Sequence, residues 1–409
     1  MKAVVFHGIG DIRLENVREP KVKEPSDARI RVTASAICGT DLHFIRGTLS
    51  GMKPGTILGH EAVGVVEEVG KDVRNLRPGD RVVVPSTIGC GYCSYCRAGY
   101  HAQCDVAHPG GPHAGTAFYG GGETGGGFEG LQAEYARIVH AAANLVKLPD
   151  SVSDDQAILL SDIFPTAYFG ADLAEIKAGD AVVVFGCGPV GQFAIASAKL
   201  KGAGRIFAVD CIASRLEMAC AQSAEVIDFN REDPLEALKR LTGGIGPDRA
   251  IDAVGVDAVA PSSGPAAKEA GKHRAEFRKE LKEVAPEANT RGRQWRAGDA
   301  PSQALDWAVE CLAKAGTLSI IGVYPEGRLF PIGAAMEKNL TIKAGNTPHR
   351  RYLPHLVDLV ATGAIDPTTV LTQSEPLEDA IEAYKAFDKR EAGWVKVELK
   401  PEAKERKVA

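Results

Sequence analysis

Nine cysteines are spread unevenly along this chain of 409 residues. Four of them lie close together, as Cys90, Cys93, Cys96 and Cys104, with glycines at positions 89, 91 and 99. Four thiolates at this spacing form a closed tetrahedral zinc site that leaves no position for a substrate. The sequence therefore predicts a structural zinc lobe at about 89–105. An iron–sulfur cluster uses the same ligands, and unpaired thiols are the third possibility.

A glycine-rich turn follows the apolar run of residues 181–185. It consists of Gly186, Cys187, Gly188, Pro189, Val190 and Gly191. In such a turn the first glycine permits a tight bend, the second lets a pyrophosphate approach, and the third lets the helix pack closely on the strand. The pattern predicts a dinucleotide site, with phosphate at the N-terminus of the following helix.

Asp210 ends the next predicted strand, nineteen residues after Gly191. An acidic side chain there accepts hydrogen bonds from the ribose hydroxyls and repels a 2′-phosphate, so NAD is the predicted cofactor. A solvated aspartate at a strand end is the alternative. Arg215, close by in the sequence, could weaken the discrimination against NADP.

Three further candidate ligands are far apart in the sequence. Cys38 lies in the segment CGTD, His60 in GHE and Asp162 in SDIFP. Taken singly, these residue types are more often a buried cysteine, a hydrogen-bonded histidine and a capping aspartate. Their spacing alone therefore does not predict a metal site.

Together, the CGTD and GHE segments, the four cysteines and the GCGPVG turn resemble the zinc-containing medium-chain alcohol dehydrogenase family over nearly the whole chain. The resemblance implies a catalytic zinc held by Cys38, His60 and Asp162, with an open fourth position for substrate or water. It also implies that Glu61 is the neighbouring acid at this metal. Two zinc ions per chain are therefore expected.

The same resemblance implies roles for three residues near Cys38. Asp41 matches the residue that hydrogen-bonds the zinc-bound histidine and orients its ring. Thr40 matches the hydroxyl that passes the substrate proton onward, and His43 matches the base at the outer end of that relay.

Many family members have cysteine where this chain has Asp162, whereas the glutathione-independent formaldehyde dehydrogenases have aspartate there and also carry an insertion in the nucleotide domain. The charge at the metal is unchanged, but a carboxylate oxygen donates less charge than sulfur, so a stronger Lewis acid is expected. The resemblance implies a zinc-dependent, NAD-linked oxidoreductase acting on a small alcohol or a formaldehyde-like aldehyde. Two alternatives stay open: an aldehyde dismutase with tightly retained NAD, and a quinone reductase-type or non-catalytic member of the same fold.

Two sequence patterns describe the elements that must position these residues. Residues 1 to about 150 contain short β-rich runs broken by glycine and proline, whereas strands and helices alternate from residue 154. The prediction is an α/β protein with a Rossmann-type, doubly wound parallel sheet over 154–345. The resemblance assigns 1–153 and 346–409 to a β-rich, GroES-like catalytic domain.

Two segments interrupt these patterns. Residues 110–130 contain ten glycines, which predicts a loop lying over another element. Residues 257–304 form a charged insertion in which Phe277, Leu281 and Val284 recur at helical spacing, which predicts a helix docked on its own domain. By its resemblance to the formaldehyde dehydrogenases the insertion is expected to cover the adenine side of NAD; a surface segment without function is the alternative.

Asn346, Pro348 and His349 follow the last predicted strand of the nucleotide-binding domain and are candidates for lining the substrate pocket.

Composition excludes several classes of partner. The net charge is -5, with 44% hydrophobic and 25% charged residues, so nucleic acid and anionic membranes are not expected partners. The apolar run near Met1 is too short for a secretory signal, and clustered cysteines indicate a reducing compartment, so the cytoplasm is the expected location. A small alcohol or aldehyde is the expected partner. Family resemblance suggests a homotetramer, or alternatively a homodimer.

Overall fold

The structure is a computed structural model that describes residues 1–288, 294–325 and 330–402. The chain divides into two compact units. Unit 1 consists of residues 1–165, 289–295 and 346–409, and unit 2 consists of residues 166–288 and 296–345.

The first part of the chain supplies most of unit 1. Its strands are β1 (Lys2–Gly8), β2 (Asp11–Asn16), β3 (Ala28–Ile37), β4 (Ala62–Val69), β5 (Arg81–Val84), β6 (Tyr135–Ile138) and β7 (Val146–Lys147). Its helices are α1 (Gly39–Arg46), α2 (Ser94–Arg97), α3 (Ala141–Asn144) and α4 (Asp154–Ser161), with 3-10 turns at His101–Gln103 and Glu123–Gly125. Short strands between turns match the β-rich pattern of the sequence.

The middle of the chain forms unit 2, which begins inside helix α5 (Ile163–Leu173). Its strands are β8 (Ala181–Phe185), β9 (Arg205–Asp210), β10 (Glu225–Asp228), β11 (Arg249–Asp252), β12 (Thr317–Ile320) and β13 (Thr341–Ala344). Its helices are α6 (Pro189–Leu200), α7 (Ala213–Ala221), α8 (Pro234–Leu241), α9 (Gly264–Val284), α10 (Gln303–Cys311) and α11 (Ile332–Glu337), with a 3-10 turn at Gly255–Asp257.

The six strands of unit 2 form one parallel sheet in the order β10-β9-β8-β11-β12-β13. Two βαβαβ halves starting from a central first strand produce this order, which is the doubly wound arrangement of dinucleotide-binding domains. The predicted fold class is confirmed. The sequence pattern does not predict β10, because this edge strand has only one buried residue and no continuous apolar run.

The last part of the chain returns to unit 1. It contains helices α12 (His349–Ala361) and α13 (Ala380–Asp388), strands β14 (Gln373–Pro376) and β15 (Val397–Lys400), and 3-10 turns at Pro367–Val370 and Leu377–Asp379. Strand β15 pairs antiparallel with β3, in a seven-stranded sheet with the path β14-β15-β3-β4-β5-β7 and with β6 also on β3. Strands β1 and β2 form a separate antiparallel pair.

The first unit extends to residue 165 and includes helix α4, whereas the sequence predicts a boundary at 153/154. The helix starts at a capping box, in which Ser153 and Gln156 each bond the other's backbone N–H. At its other end, the Ser161 hydroxyl donates to the carbonyl oxygen of Val84 and accepts the backbone N–H of Ala62 at 3.1 Å. These bonds tie α4 to β4 and β5, so the residue after it, Asp162, belongs to unit 1.

The insertion contains the predicted helix as α9. Phe277 and Val284 are buried and Leu281 is half-buried, so one narrow face packs on the unit. The segment before the helix bonds Asn230, whose side-chain oxygen accepts the backbone N–H of Ser262 at 2.8 Å. Asn230 follows β10, so this contact lies at the carboxyl edge of the sheet. Residues 289–293 of the insertion lie outside the described residues, and its role over the adenine side of NAD stays a prediction.

The described helices include none with both the length and the apolar character needed to cross a lipid bilayer.

Candidate functional site

A buried cluster in unit 1 contains one thiol, one imidazole and two carboxylates. Cys38, His60, Glu61 and Asp162 each offer a ligand atom, and these atoms all lie within 4.8 Å of one another. The Oδ2 atom of Asp162 is 3.5 Å from Cys38 Sγ and 3.4 Å from His60 Nε2. Sulfur, ring nitrogen and carboxylate oxygen are the donors that zinc prefers, so the residues present fit that ion. The structure thus brings together all the residues expected at the catalytic metal.

Cys38 is placed by the start of helix α1. It is the N-cap residue, and the side chain of Asp41, three residues on, accepts the backbone N–H of Cys38 at 3.0 Å. This reciprocal cap starts the helix at Cys38 and holds its side chain in the cluster. Burial raises the pKa of the Cys38 thiol.

Asp41 also orients His60, as expected from the resemblance. Its Oδ1 atom lies 3.2 Å from His60 Nδ1, which directs Nε2 toward the other ligands. Burial acts to lower the pKa of His60, but the charges of Asp41 and Cys38 raise it well above its usual value. Gln132 donates to Asp41 Oδ2 at 3.3 Å, and the Tyr384 hydroxyl donates to Gln132 at 2.8 Å. Sequence reasoning missed this outer pair.

Asp162 has two sets of partners, one for each oxygen. Its Oδ1 atom accepts the Ser86 hydroxyl at 3.0 Å and lies 2.7 Å from His349 Nε2, while Oδ2 faces Cys38 and His60. Burial acts to raise the pKa of this carboxyl, yet the hydrogen bonds with His349 and His60 hold it well below its usual range. Asp162 is therefore a carboxylate in the buried cluster.

Glu61 is paired with a residue that sequence reasoning missed. The ammonium of Lys396 donates to both carboxylate oxygens, at 2.6 and 2.8 Å, and to the carbonyl oxygen of Ile37 at 3.1 Å. Both side chains are fully buried. Burial alone would lower the pKa of Lys396, but the charge of Glu61 raises it, so the lysine keeps its proton.

The two expected relay residues lie on helix α1. Thr40 is half-buried, and His43 is buried at 4% exposure. Because residues three apart lie on one face of a helix, both can serve one path leading from Cys38.

The glycine-rich loop predicted over 110–130 encloses an aromatic side chain. A Cβ atom at Gly121 or Gly125 would lie 2.6 or 2.7 Å from the ring of Phe118, so only glycine permits this approach. The ring of Phe118 meets the ring of His60 edge-on at 6.4 Å between centroids, and it also lies 6.3 Å from the ring of Phe44. The loop thus holds an apolar wall beside the cluster.

The four cysteines predicted for a structural zinc also converge in unit 1. Cys90 Sγ lies 4.0 Å from Cys96 Sγ, and Cys93 Sγ lies 3.8 Å from Cys104 Sγ. Burial opposes ionisation of Cys93, but N–H donors of the lobe backbone, first that of Cys96, lower its pKa to about 7. Four ligand atoms all within 4.8 Å of one another, with no other donor type, fit a closed zinc site.

The predicted dinucleotide turn has the required geometry in unit 2. Gly186 has a positive φ of 86°, and a Cβ at Gly191 would lie 1.8 Å from the carbonyl oxygen of Gly186. Gly188 is the N-cap of helix α6, Pro189 is its first residue and Val190 follows. The turn therefore presents the N-terminus of a twelve-residue helix, where backbone N–H groups bind phosphate.

Asp210 is bound to this turn by its own carboxylate. One oxygen accepts the N–H of Cys187 at 2.7 Å, and the other accepts the N–H groups of Cys211 and Ile212 at 2.6 and 3.0 Å. Since a carboxylate has about four acceptor positions, one remains beyond these three bonds. The guanidinium of Arg215 lies over the turn, 3.6 Å from where a Cβ of Gly188 would be.

The residues that sequence reasoning missed share one property: they contact the site from distant parts of the chain. Ser86 follows β5, Gln132 precedes β6, and Lys396 precedes β15. Only an unexpected lysine in an otherwise apolar segment, Val395 to Val397, could have indicated Lys396. The sequence predicts His349 as a residue that lines the pocket, but it does not predict the contact between His349 and Asp162.

Comparisons with known proteins agree with this geometry. A family model for the alcohol dehydrogenase GroES-like domain matches residues 24–150, and a model for zinc-binding dehydrogenases matches residues 189–273. The first match supports the predicted GroES-like character of unit 1.

Full-length relatives are similar over nearly the whole chain. An uncharacterised zinc-type alcohol dehydrogenase-like protein, AdhB of Bacillus subtilis, is 38% identical over 98% of this chain and 100% of its own. A glutathione-independent formaldehyde dehydrogenase of Pseudomonas aeruginosa is 33% identical over 95% of this chain and 94% of its own. Among solved structures, the alcohol dehydrogenase TADH from Thermus sp. ATN1 has a TM-score of 0.80 and 33% identity, covering 98% of this chain and 100% of its own. The chain therefore belongs to the zinc-dependent medium-chain alcohol dehydrogenase family and is an oxidoreductase of the zinc-type alcohol dehydrogenase kind.

Proposed function

We propose that this chain is an NAD-linked dehydrogenase that oxidises a small alcohol or a formaldehyde-like aldehyde, with a catalytic zinc held by Cys38, His60 and Asp162. The observation that carries the proposal is the convergence of these three donor types at one buried place from distant segments. Three mixed ligands with an open position are typical of catalytic zinc, and four thiolates are typical of structural zinc. Two zinc ions per chain follow.

When bound, zinc would polarise the substrate oxygen and NAD would accept the hydride. The chain's own residues handle the proton. The Thr40 hydroxyl, two residues beyond Cys38, takes up the substrate proton as it gives its own proton outward, and the imidazole of His43 is the base that finally accepts it. Residues three apart lie on one face of α1, and the burial of His43 limits its direct exchange with solvent.

The apolar wall beside His60 supports a small substrate. Phe118 and Phe44 occupy space next to the cluster, and glycines pack closely against the ring of Phe118. A relative named as a glutathione-independent formaldehyde dehydrogenase, identical at 33% of positions, supports formaldehyde or a compound of similar size.

The proposal is tested by a turnover panel and a zinc count on one preparation. Formaldehyde, short alcohols, polyols and S-hydroxymethylglutathione are each supplied with NAD and with NADP. We expect NADH formation from the smallest substrates without glutathione, and two zinc ions per chain. One zinc per chain and no turnover would favour a non-catalytic member of the fold. Nucleotide released only on heat denaturation would favour the dismutase.

Asp210 is expected to set the preference for NAD. Replacing Asp210 with asparagine keeps one oxygen, which can still accept the N–H groups of Cys211 and Ile212, but it loses the acceptor of the Cys187 N–H and the negative charge that repels a 2′-phosphate. We expect the ratio of kcat/KM for NAD over NADP to fall by about tenfold, which corresponds to about 1.4 kcal/mol. Asp210→Gly should also weaken both cofactors, because the N–H groups of Cys187, Cys211 and Ile212 lose their acceptor. A wild type that prefers NADP would contradict this assignment.

A homo-oligomer is supported by the edge of the sheet in unit 2. Strand β13 is at the end of the strand order, and Ile332 and Met336 on helix α11 are 57% and 74% exposed. An open strand edge and exposed apolar side chains are features that a second copy would cover. Sedimentation equilibrium distinguishes the tetramer from the dimer. A cytoplasmic location is supported by the four clustered cysteines, whose arrangement fits a metal site, typical of a reducing compartment, and not a disulfide framework.

A further inference from the structure

The carboxylate of Asp162 uses its two oxygens differently. Oδ2 faces Cys38 Sγ and His60 Nε2, at 3.5 and 3.4 Å. Oδ1 lies on the other side, where the Ser86 hydroxyl is 3.0 Å away and His349 Nε2 is 2.7 Å away. One oxygen is therefore directed at the candidate metal position, and the other is directed at hydrogen-bond donors.

Both ring nitrogens of His349 have polar partners. A carboxylate oxygen only accepts hydrogen bonds, so Nε2 donates to Asp162. Nδ1, the other ring nitrogen, lies 3.0 Å from the Thr87 hydroxyl, which is itself 3.1 Å from the carbonyl oxygen of Thr347. The Ser86 hydroxyl also lies near the ring, 3.1 Å from Nε2 and 3.4 Å from Nδ1. His349 is 3% exposed at the first residue of α12. These contacts give the imidazole one orientation, with its donor toward Asp162.

A carboxylate ligand differs from a thiolate ligand in the number of atoms that can bind a metal. Sulfur offers one donor atom, whereas a carboxylate offers two and can bind a cation through one or both. If both oxygens were available, Asp162 could rotate between these modes and the coordination would not stay tetrahedral. Donors on Oδ1 leave Oδ2 as the ligand atom.

We propose that His349 is a positioning residue that restricts Asp162 to coordination through one oxygen. The proposal rests on the proposed function, in which Asp162 is a ligand of the catalytic zinc. Partners of this kind orient a ligand without touching the metal, and losing one typically costs about 10- to 100-fold in metal affinity.

The first test measures how fast zinc leaves the holoenzyme when a chelator is added. In His349→Leu we expect one of the two zinc ions to leave about 10- to 100-fold faster, while the other leaves at the wild-type rate. His349→Gln, which retains an N–H donor, should restore slow release. The visible spectrum of enzyme carrying Co²⁺ at this site should change in His349→Leu and not in His349→Gln, because the spectrum reports the coordination geometry.

A double-mutant cycle with Asp162→Cys isolates the mechanism. A thiolate has no second donor atom, so in the Asp162→Cys background the His349→Leu change should not affect zinc release. An effect of equal size in both backgrounds would mean that His349 only stabilises the surrounding fold, and the proposal would be wrong. Wild-type release and an unchanged cobalt spectrum in folded His349→Leu would also overturn it.

Asp162→Ala separates this proposal from the proposed function. If that variant retains both zinc ions, Asp162 is not a ligand and the ligand set is wrong. If it loses one ion while His349→Leu behaves as the wild type, only the role of His349 is wrong. Should His349→Leu not fold, Thr87→Val removes the contact at Nδ1 and should speed release of the same ion to a smaller extent; no change in folded Thr87→Val would then contradict the proposal.

Discussion

Replacing Cys38 with alanine is expected to abolish turnover and to leave a folded protein with one zinc ion per chain. Cys38 supplies the sulfur of the mixed cluster, and both oxygens of Glu61 are held by Lys396, so only His60 and Asp162 would remain as ligands and could not complete a three-ligand site. We expect kcat/KM to fall by at least about a thousandfold, equivalent to about 4 kcal/mol of transition-state stabilisation. Steady-state kinetics and metal analysis on the same sample measure both effects.

Cys93→Ala is the matched control, because it removes one sulfur from the other cluster. Its zinc is expected to be structural, so this variant should keep the catalytic ion and denature at a lower temperature. Turnover measured below that temperature should remain within a few-fold of the wild type. Near-normal activity and two zinc ions in Cys38→Ala would contradict the assignment of the catalytic metal.

Lys396→Met is expected to give a large loss of stability. Lys396 and Glu61 are both fully buried, and the lysine donates to both carboxylate oxygens of Glu61. Burial raises the pKa of Glu61 to about 7 even with Lys396 present, so without the ammonium Glu61 must either stay ionised without a counter-charge or bind a proton. Breaking a buried pair in this way typically costs about 3–5 kcal/mol. We expect Tm to fall by roughly 10 °C in calorimetry of the zinc-loaded protein.

Two companion variants show whether the unpaired charge is the cause. Lys396→Arg keeps the positive charge and should stay close to the wild-type Tm. The double variant Lys396→Met with Glu61→Leu removes both charges and should recover much of the loss, because replacing a buried pair by apolar side chains is often neutral. A single variant Lys396→Met with the wild-type Tm would show that this pair contributes little to stability.

Features that depend on residues close together in the sequence could be predicted from the sequence alone. The convergence of the cysteines at 90, 93, 96 and 104 could be predicted because their close spacing suits a tight turn, and the structure brings their sulfurs together. The turn from Gly186 to Gly191 could be predicted because steric limits on the backbone act within a few residues. Alternating strands and helices in the same region predicted the parallel sheet, since each element is defined by its own period.

The catalytic cluster required more than local pattern. Cys38, His60 and Asp162 were identified through family resemblance, and their spacing alone did not predict that they meet. The sequence pattern assigns residue 162 to the nucleotide-binding domain, because the apolar pattern of helix α4 is the same whichever unit the helix packs on. The hydrogen bonds of Ser161 to Val84 and Ala62 place that helix in unit 1.

The partners of the cluster were decided only by the tertiary structure. His349 meets Asp162 across 187 positions of the chain, and Lys396 meets Glu61 across 335. A hydrogen bond or ion pair of this kind leaves no periodicity in the sequence, because it depends on where two distant elements are brought by the packing of the sheet. A buried polar side chain needs a partner, but which residue supplies it follows from the fold and not from the neighbouring sequence.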